Sequence, residues 1–551
     1  MKRLFPKSLV LFIFLALGNI CLNSCTKNTF DKVASFQMDP TFNIGLIKGT
    51  VGYGNLKNIL SDSNSSLSVG SDSFVTFVWQ GNISTFTTTD FIPSFTSTPN
   101  KASLSANNVN DILNAPINSK VLISDSLSLD ITPQRASSVD IDSIYLKSGK
   151  VAYSLTNTFS DSCKITILVL GIPGFKQTLT IPANTTSKDS FDISNRWIDM
   201  TNGGKNPNGN YLIMVYLIDY TKKKSSQPGS TITFAQQVNN PVMKMMVADV
   251  HKQGFFSSTP SNIPLNAFKF AQVGTPITFS DPTINLYFTN TFGVPMGFNF
   301  TSLSGQNANG HFDTLNVRGV TPNPFRIDSA SVAIVGTDFR VTPAFDTLVL
   351  NKSNPLHSGI YLSLPEFLSA MPSTIVPQFN ATSNEFSSGR NRNFIQDTSK
   401  GFIDAKIVIP LSLKINKFVS KDTFPFSFGD MTNVDSFTLR IAVNNGMPLG
   451  LGATISFLDS TKKPNVVIYS QKLDTLISPA PLDANNKANG KTLTVSKLTL
   501  GSKVMPKLKN VNKVIFTSTL ISPSSGAKPA NIYSNQTIDV NIGAKASYKI
   551  N

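Results

Sequence analysis

Between residues 406 and 416 the chain alternates: Ile407, Ile409, Leu411, Leu413 and Ile415 fall on one side of an extended backbone, and Lys406, Ser412, Lys414 and Asn416 on the other. A helix would scatter those apolar side chains around its circumference, whereas a strand collects them on one face, so the pattern predicts a half-buried antiparallel strand. Phe437, Leu439, Ile441 and Val443 repeat it, as do Val294, Met296, Phe298 and Phe300. A sheet with one apolar face needs a second layer to cover it. Turn formers separate the runs: "NGGKNPNGN" at 202–210, "NNGMPLG" at 444–450 and "STKKPN" at 460–465.

Composition points the same way. Of 32 acidic residues only Glu366 and Glu385 are glutamate, while Asp, Ser, Thr, Asn and Phe are plentiful. Strong helix formers are thereby removed and turn and strand formers kept. The expected fold is all-β: tandem antiparallel β-sandwich domains with very little helix. Two short helical pieces are predicted. One lies in "SLPEFLSAMP", with Ser363 as cap, Pro365 in the first turn and Pro372 as stop, and the other around Leu56–Leu60. A chain of 551 residues exceeds one core and suggests about three to five domains.

One short string recurs. "LTNTF" stands at 155–159 and "FTNTF" at 288–292, each at the end of an alternating run that turns and resumes. A third segment, "LRIAVNNGMPLGLGATISFL" from Leu439, has the same layout, which places corner asparagines at Asn157, Asn290 and Asn444. Similar spacing predicts one sandwich unit used three times. Asparagine suits a corner because its side chain bonds nearby backbone and tolerates left-handed conformations.

The N-terminus sets an address. Lys2, Arg3 and Lys7 precede "LVLFIFLAL" at 9–17, a secretory signal too short to span a bilayer. It closes on Leu22-Asn23-Ser24-Cys25, which resembles the lipobox of bacterial lipoproteins. The resemblance implies cleavage before Cys25 and lipid attachment, including a palmitate-type acyl chain, on that residue; two or more chains give stable anchoring. Cys163 would then be the one remaining thiol of the mature chain, without a disulfide partner. "DPTFNIGLIKGTVGYGNLKNIL" from Asp39, "SDSFVTFVWQGNI" from Ser71 and "NTFGVPMGFNF" from Asn290 resemble a family of uncharacterised lipoproteins of the Bacteroidetes, with repeated β-sandwich domains and no assigned activity. The predicted division is a signal peptide at 1–24, a tether at 25–37, an N-terminal β unit at 38–130, and sandwiches at 131–255, 263–405 and 406–551. "HKQGFFSSTPSN" at 251–262 is the expected linker.

Catalytic inventory is thin. His251, His311 and His357 stand far apart in sequence, and neither glutamate falls on a recognisable strand. Asp140 and Asp142 share one face of an extended segment, as a calcium pair would need, yet no glycine-bearing ligand loop accompanies them. No phosphate loop, nucleophile elbow or dinucleotide fingerprint is present. Neither an enzyme nor a cofactor or metal is expected. An Asp-Ser/Thr-apolar string resembling the O-glycosylation sequon of exported Bacteroidetes proteins marks Ser126, Ser143, Thr314, Ser329, Thr347 and Thr475.

Charge is lopsided. The net formal charge is +16, and from Ala484 to Asn551 ten lysines face the single acid Asp539. With so little arginine, and with export, nucleic acid is not the expected partner. Expected instead are the membrane through a lipid anchor, and another envelope protein or an anionic surface polymer. The function expected is a non-enzymatic, lipid-anchored scaffold for interaction or adhesion at the outer membrane, surface-exposed or periplasmic, with a glycan-binding surface lipoprotein as the alternative.

Overall fold

The computed structural model describes residues 42–91, 99–130, 139–205, 210–255, 260–268, 277–425, 434–459, 461, 466–472 and 477–548. Cys25 and Thr475, both singled out in the sequence, lie outside the described residues.

In chain order the opening strands are β1 (Phe42–Gly52), β2 (Ser65–Val69), β3 (Val75–Thr87), β4 (Asn100–Ser103) and β5 (Lys120–Asp130). Next come β6 (Asp140–Asn157), β7 (Cys163–Val169), β8 (Lys176–Ile181), β9 (Thr185–Asp192), β10 (Arg196–Asp199), β11 (Tyr211–Thr221) and β12 (Ile232–Asp249). The middle of the chain holds β13 (Gly254–Phe255), β14 (Ile263–Pro264), β15 (Ile277–Phe279), β16 (Thr283–Asn290), β17 (Met296–Gln306), β18 (Phe312–Thr314) and β19 (Phe325–Ile327). There follow β20 (Ser331–Val335), β21 (Asp338–Thr342), β22 (Ala344–Leu350), β23 (Thr374–Ser383), β24 (Asn393–Gln396) and β25 (Lys400–Pro410). The last stretch holds β26 (Ser412–Pro425), β27 (Val434–Asn445), β28 (Gly450–Asp459), β29 (Val466–Lys472), β30 (Thr492–Leu500), β31 (Lys513–Ile521), β32 (Ala530–Asn531) and β33 (Thr537–Tyr548).

Apart from β20 and β21, which pair with each other as a separate hairpin, these strands form three two-sheet stacks. In the first, β10-β6-β12-β24 covers β5-β11-β7-β8, and Tyr216 of β11 stacks on Phe234 of β12 with ring centroids 4.1 Å apart. In the second, β2-β3-β25-β16-β22 covers β13-β23-β17-β18, and Phe288 meets Phe298 edge-on at 4.9 Å. In the third, β1-β33-β27-β30 covers β15-β26-β31-β28-β29, with Ile441, Val443 and Val540 facing Leu451 and Leu520. Every pairing in the ladders is antiparallel, as the one-sided alternation requires. Along β25, Ile403, Ala405, Ile407 and Ile409 are buried while the residues between them are half-exposed. Burying a side chain of this size contributes about 1.5–3 kcal/mol, and the buried set runs without a break through all three stacks.

The expected N-terminal β unit over 38–130 does not form a sheet of its own. β1 pairs with β33 in the third stack, β3 pairs with β25 in the second, and β5 pairs with β11 and β4 with β12 in the first. The opening segment thus visits the stacks in the order third, second, first, and the remainder fills them first, second, third. Sequence patterning showed these strands but not their partners, because alternation is local and pairing is not.

The junctions are bridged by backbone as well. β24 leaves the second stack to pair with β12 of the first, and β15 pairs with β26 of the third. The alternating run that predicted a single strand is two: Pro410 ends β25, and Ser412 opens β26 in the next stack. The expected linker at 251–262 is engaged too, since Gly254 and Phe255 pair with Thr382 and Ala381.

Both predicted helices exist. Tyr53–Leu60 is helical, and Leu364–Ser369 carries a capping box between Ser363 and Glu366 with proline in its first turn. Ala106–Asn114 is an additional helix, capped by Ser105 Oγ accepting from Asn108 N at 3.3 Å and burying Ile112; its asparagine-rich sequence reads as turn chemistry.

Threading of this kind makes the third stack depend on the first strand. Deleting residues 1–61 should raise the rate of limited proteolysis within 412–548 by about tenfold or more, while 100–410 keeps its resistance. Mass spectrometry of the fragments checks this, and equal resistance of both regions would contradict the pairing of β1 with β33.

Candidate functional site

The recurring asparagine is a structural device made three times. Asn157 and Asn290 are fully buried. Asn157 Nδ2 donates to Asp161 O at 2.9 Å and Pro182 O at 3.2 Å, and its Oδ1 accepts from Phe159 N at 3.0 Å. Asn290 repeats the set with Val294 O (3.0 Å), Asp328 O (2.8 Å) and Phe292 N (2.9 Å). In the third copy the residue is Asn445, with Leu449 O (2.8 Å), Ser478 O (2.9 Å) and Met447 N (2.9 Å). Asn444, the residue expected from the sequence, points to the outer face, opposite Asp539 and Leu493. Strand parity explains the correction: Ile441 and Val443 are buried, so the inward asparagine must be 445. The apolar residue two positions on (Phe159, Phe292 or Met447) is buried in each copy, so the unit is Asn-x-apolar.

In each copy both ends of the asparagine amide are engaged by backbone groups. The apolar gap behind Asn445, between the sheets of the third stack, is about 30 Å3, far below the size of a small-molecule site. Asp140 and Asp142 do not converge as a cation pair. Asp140 meets His251 Nε2 at 3.2 Å and Asp142 meets Arg390 at 2.6 Å. Glu366 serves its helix cap and accepts from His357 Nδ1 at 2.9 Å; the Ser363 hydrogen bonds hold its carboxyl below the usual range. Glu385 pairs with Lys252 at 2.7 Å. Among the described residues no group of three or more His, Cys, Asp or Glu side chains is placed to hold a metal.

The O-glycosylation strings divide by accessibility. Ser126, Ser329 and Thr347 are exposed, whereas Ser143 and Thr314 are half-buried, Ser143 on the strand between β10 and β12. Two of the strings meet: Asp328 N donates to Asp346 Oδ2 at 2.8 Å, and burial, with Asp328 beside it, raises the Asp346 carboxyl above its ordinary value.

Two outward surfaces stand out. On the β2-β3-β25-β16-β22 sheet, Tyr287 (40% exposed) and Phe345 (73% exposed) are diagonal neighbours around Thr347. Trp79 is buried and Trp197 is packed between Tyr145 and Phe339 at the junction of the first two stacks, so neither tryptophan is a platform.

The other surface is the outer face of β1-β33-β27-β30. Its register gives successive cross-strand rows: Asn43, Lys545, Thr438 and Thr499; then Gly45, Gly543, Arg440 and Lys497; then Lys48, Asn541, Ala442 and Val495. Lys48, Arg440, Lys497 and Lys545 are all exposed. Asp539 lies one row further on, neutralised by Lys491 at 2.7 Å and bonded by Thr50 at 2.9 Å. The Lys491 contact holds its carboxyl below the usual range. Sequence showed the lysine excess; only the register shows that part of it shares one face.

Comparisons with known proteins add little. No family model matches this chain, and no curated protein does. Among solved structures it is similar to a Parabacteroides distasonis ATCC 8503 protein described as secreted, at 12% identity, 55% of this chain, 88% of that chain and a TM-score of 0.26. A second, from a triple jelly roll and turret assembly of an archaeal virus, shows 11% identity over 83% of this chain and 98% of that chain, with a TM-score of 0.10. Both likenesses are too slight to carry an argument about function.

Two measurements follow. Asn445→Ala orphans two carbonyls and one amide and should cost about 3 kcal/mol, against about 0.5 kcal/mol or less for Asn444→Ala; denaturant unfolding of both variants compares them, and equal costs would undo the corner assignment. Cys163 is buried on β7, and burial pushes its thiol up to about 12, so alkylation at pH 8 should proceed only after denaturation.

Proposed function

We propose that this protein is a non-enzymatic, lipid-anchored component of the outer membrane, a β-sandwich scaffold that presents surfaces to a partner. The observation that carries this reading is the threading. The chain emerging after Cys25 enters the third stack as β1 and reaches the first only after passing the second, which suits a body that is tethered at one place and holds its other stacks away from it. No helix among the described residues is long and apolar enough to cross a membrane, and attachment is assigned to the lipid on Cys25. Ser126, Ser329 and Thr347, exposed on strands and loops, are the O-glycosylation positions favoured by accessibility.

A second reading, glycan binding, draws on Tyr287 and Phe345, because exposed aromatic faces stack on sugar rings. Probing a glycan array with wild-type protein and Tyr287→Ala separates the readings. Specific binding lost in the variant favours the second, and no binding at high protein concentration removes it.

Anchoring has its own test. Radioactive palmitate should label the wild-type chain and leave Cys25→Ala unlabelled, and equal labelling of both would end the proposal.

A further inference from the structure

We infer that the basic outer face of the third stack lies against a phospholipid surface and binds its anionic headgroups, so that the protein is held by a lipid and by a charged sheet together. This inference deepens the proposed anchoring and rests on Cys25 as the attachment point. Three observations carry it.

The first is position. β1 is an edge strand of this sheet, and Phe42, where it begins, follows Cys25 by 42 − 25 = 17 residues. A chain of that length spans at most about 60 Å, and the stack it enters is the one bearing the cations.

The second is the gradient along the sheet. Counted from the start of β1, the first three outward rows hold all four cations, Lys545 in the first, Arg440 and Lys497 in the second and Lys48 in the third. Beyond Leu500, at that same end, the chain continues through exposed Lys503, Lys507 and Lys509. Asp539, at the opposite end of the face, is already neutralised. Among the described residues no carboxylate forms an ion pair with Arg440, Lys497 or Lys545, whereas Lys120, Lys252 and Lys352 on the other stacks each have one.

The third is shape. Gly543 and Ala442 lie between the cationic side chains, so the sheet is low there and the long basic side chains are its highest points, able to extend their heads toward phosphate. Lysines that only guarded sheet edges would sit on edge strands; Arg440 and Lys545 sit on the two interior strands, β27 and β33. A face of this kind gains about fivefold in binding for each cation brought near an anionic surface, and loses it in high salt.

The test uses the full lipidated chain carrying Thr499→Cys, labelled with an environment-sensitive fluorophore; Cys163 is buried and takes no label. The protein is reconstituted in vesicles of phosphatidylcholine alone, or with phosphatidylglycerol, and access of acrylamide to the probe is measured. Access should fall by about fivefold or more with phosphatidylglycerol and return in about 0.5 M NaCl, which screens such contacts. It should also return in the Arg440→Gln/Lys497→Gln/Lys545→Gln variant, while a probe at Ser190→Cys on the first stack stays accessible throughout. Equal access in both vesicle types overturns the inference, as does protection that survives the triple variant, or protection conferred by a soluble acidic polysaccharide and not by phosphatidylglycerol. Failure of the protein to float with phosphatidylcholine vesicles would instead refute the lipid anchor, and probe access on phosphatidylglycerol vesicles would still judge the face.

Discussion

Thr50 and Asp539 are 489 residues apart and hydrogen-bonded. That contact belongs to the ladder between β1 and β33, and the arrangement of the rest depends on it. A strand at the start of the chain is a full member of the last stack, so the third core closes only when both ends of the chain are present. β2 and β3 enter the second stack, and β4 and β5 the first, by the same logic. Closing such long loops costs entropy before any contact offsets it, and contacts this distant in sequence slow folding. The nested path also binds the stacks to one another, since none is built from a continuous stretch of chain.

Within each stack a buried asparagine fixes the corner where one strand crosses to the facing sheet. Its amide meets two carbonyls and one N–H that the turn would otherwise leave without partners, and an orphaned backbone group in a core costs about as much as the bond it lost. Three copies make nearly the same bonds at Asn157, Asn290 and Asn445. The repeated string therefore serves the geometry of the corner inside each stack, and the outer faces carry other chemistry. Two such faces differ in character: one aromatic, around Tyr287 and Phe345, and one cationic, around Arg440 and Lys545. Because β1 lies at the edge of the cationic face, the threading that governs folding also governs which face stands nearest the proposed anchor.

The sequence by itself determined the class of the fold and the excess of lysine toward its C-terminal end. Alternation at 407–415, 437–443 and 294–300, scarce glutamate and the capped "SLPEFL" piece were legible because strand period, helix propensity and capping act over a few residues. Tertiary structure alone decided the partners. Nothing local in "FNIGLIKGTVG" says that it pairs with residues 537–546, and nothing in the run from Lys406 to Asn416 says that it changes stacks at Pro410. The corner assignment erred by one residue, at Asn444 for Asn445, since the choice of face turns on parity against a core the sequence does not display. Lys48, Arg440, Lys497 and Lys545 became one surface for the same reason: hydrogen-bond register between strands far apart in the chain places them in adjacent rows, and register is a property of the folded sheet.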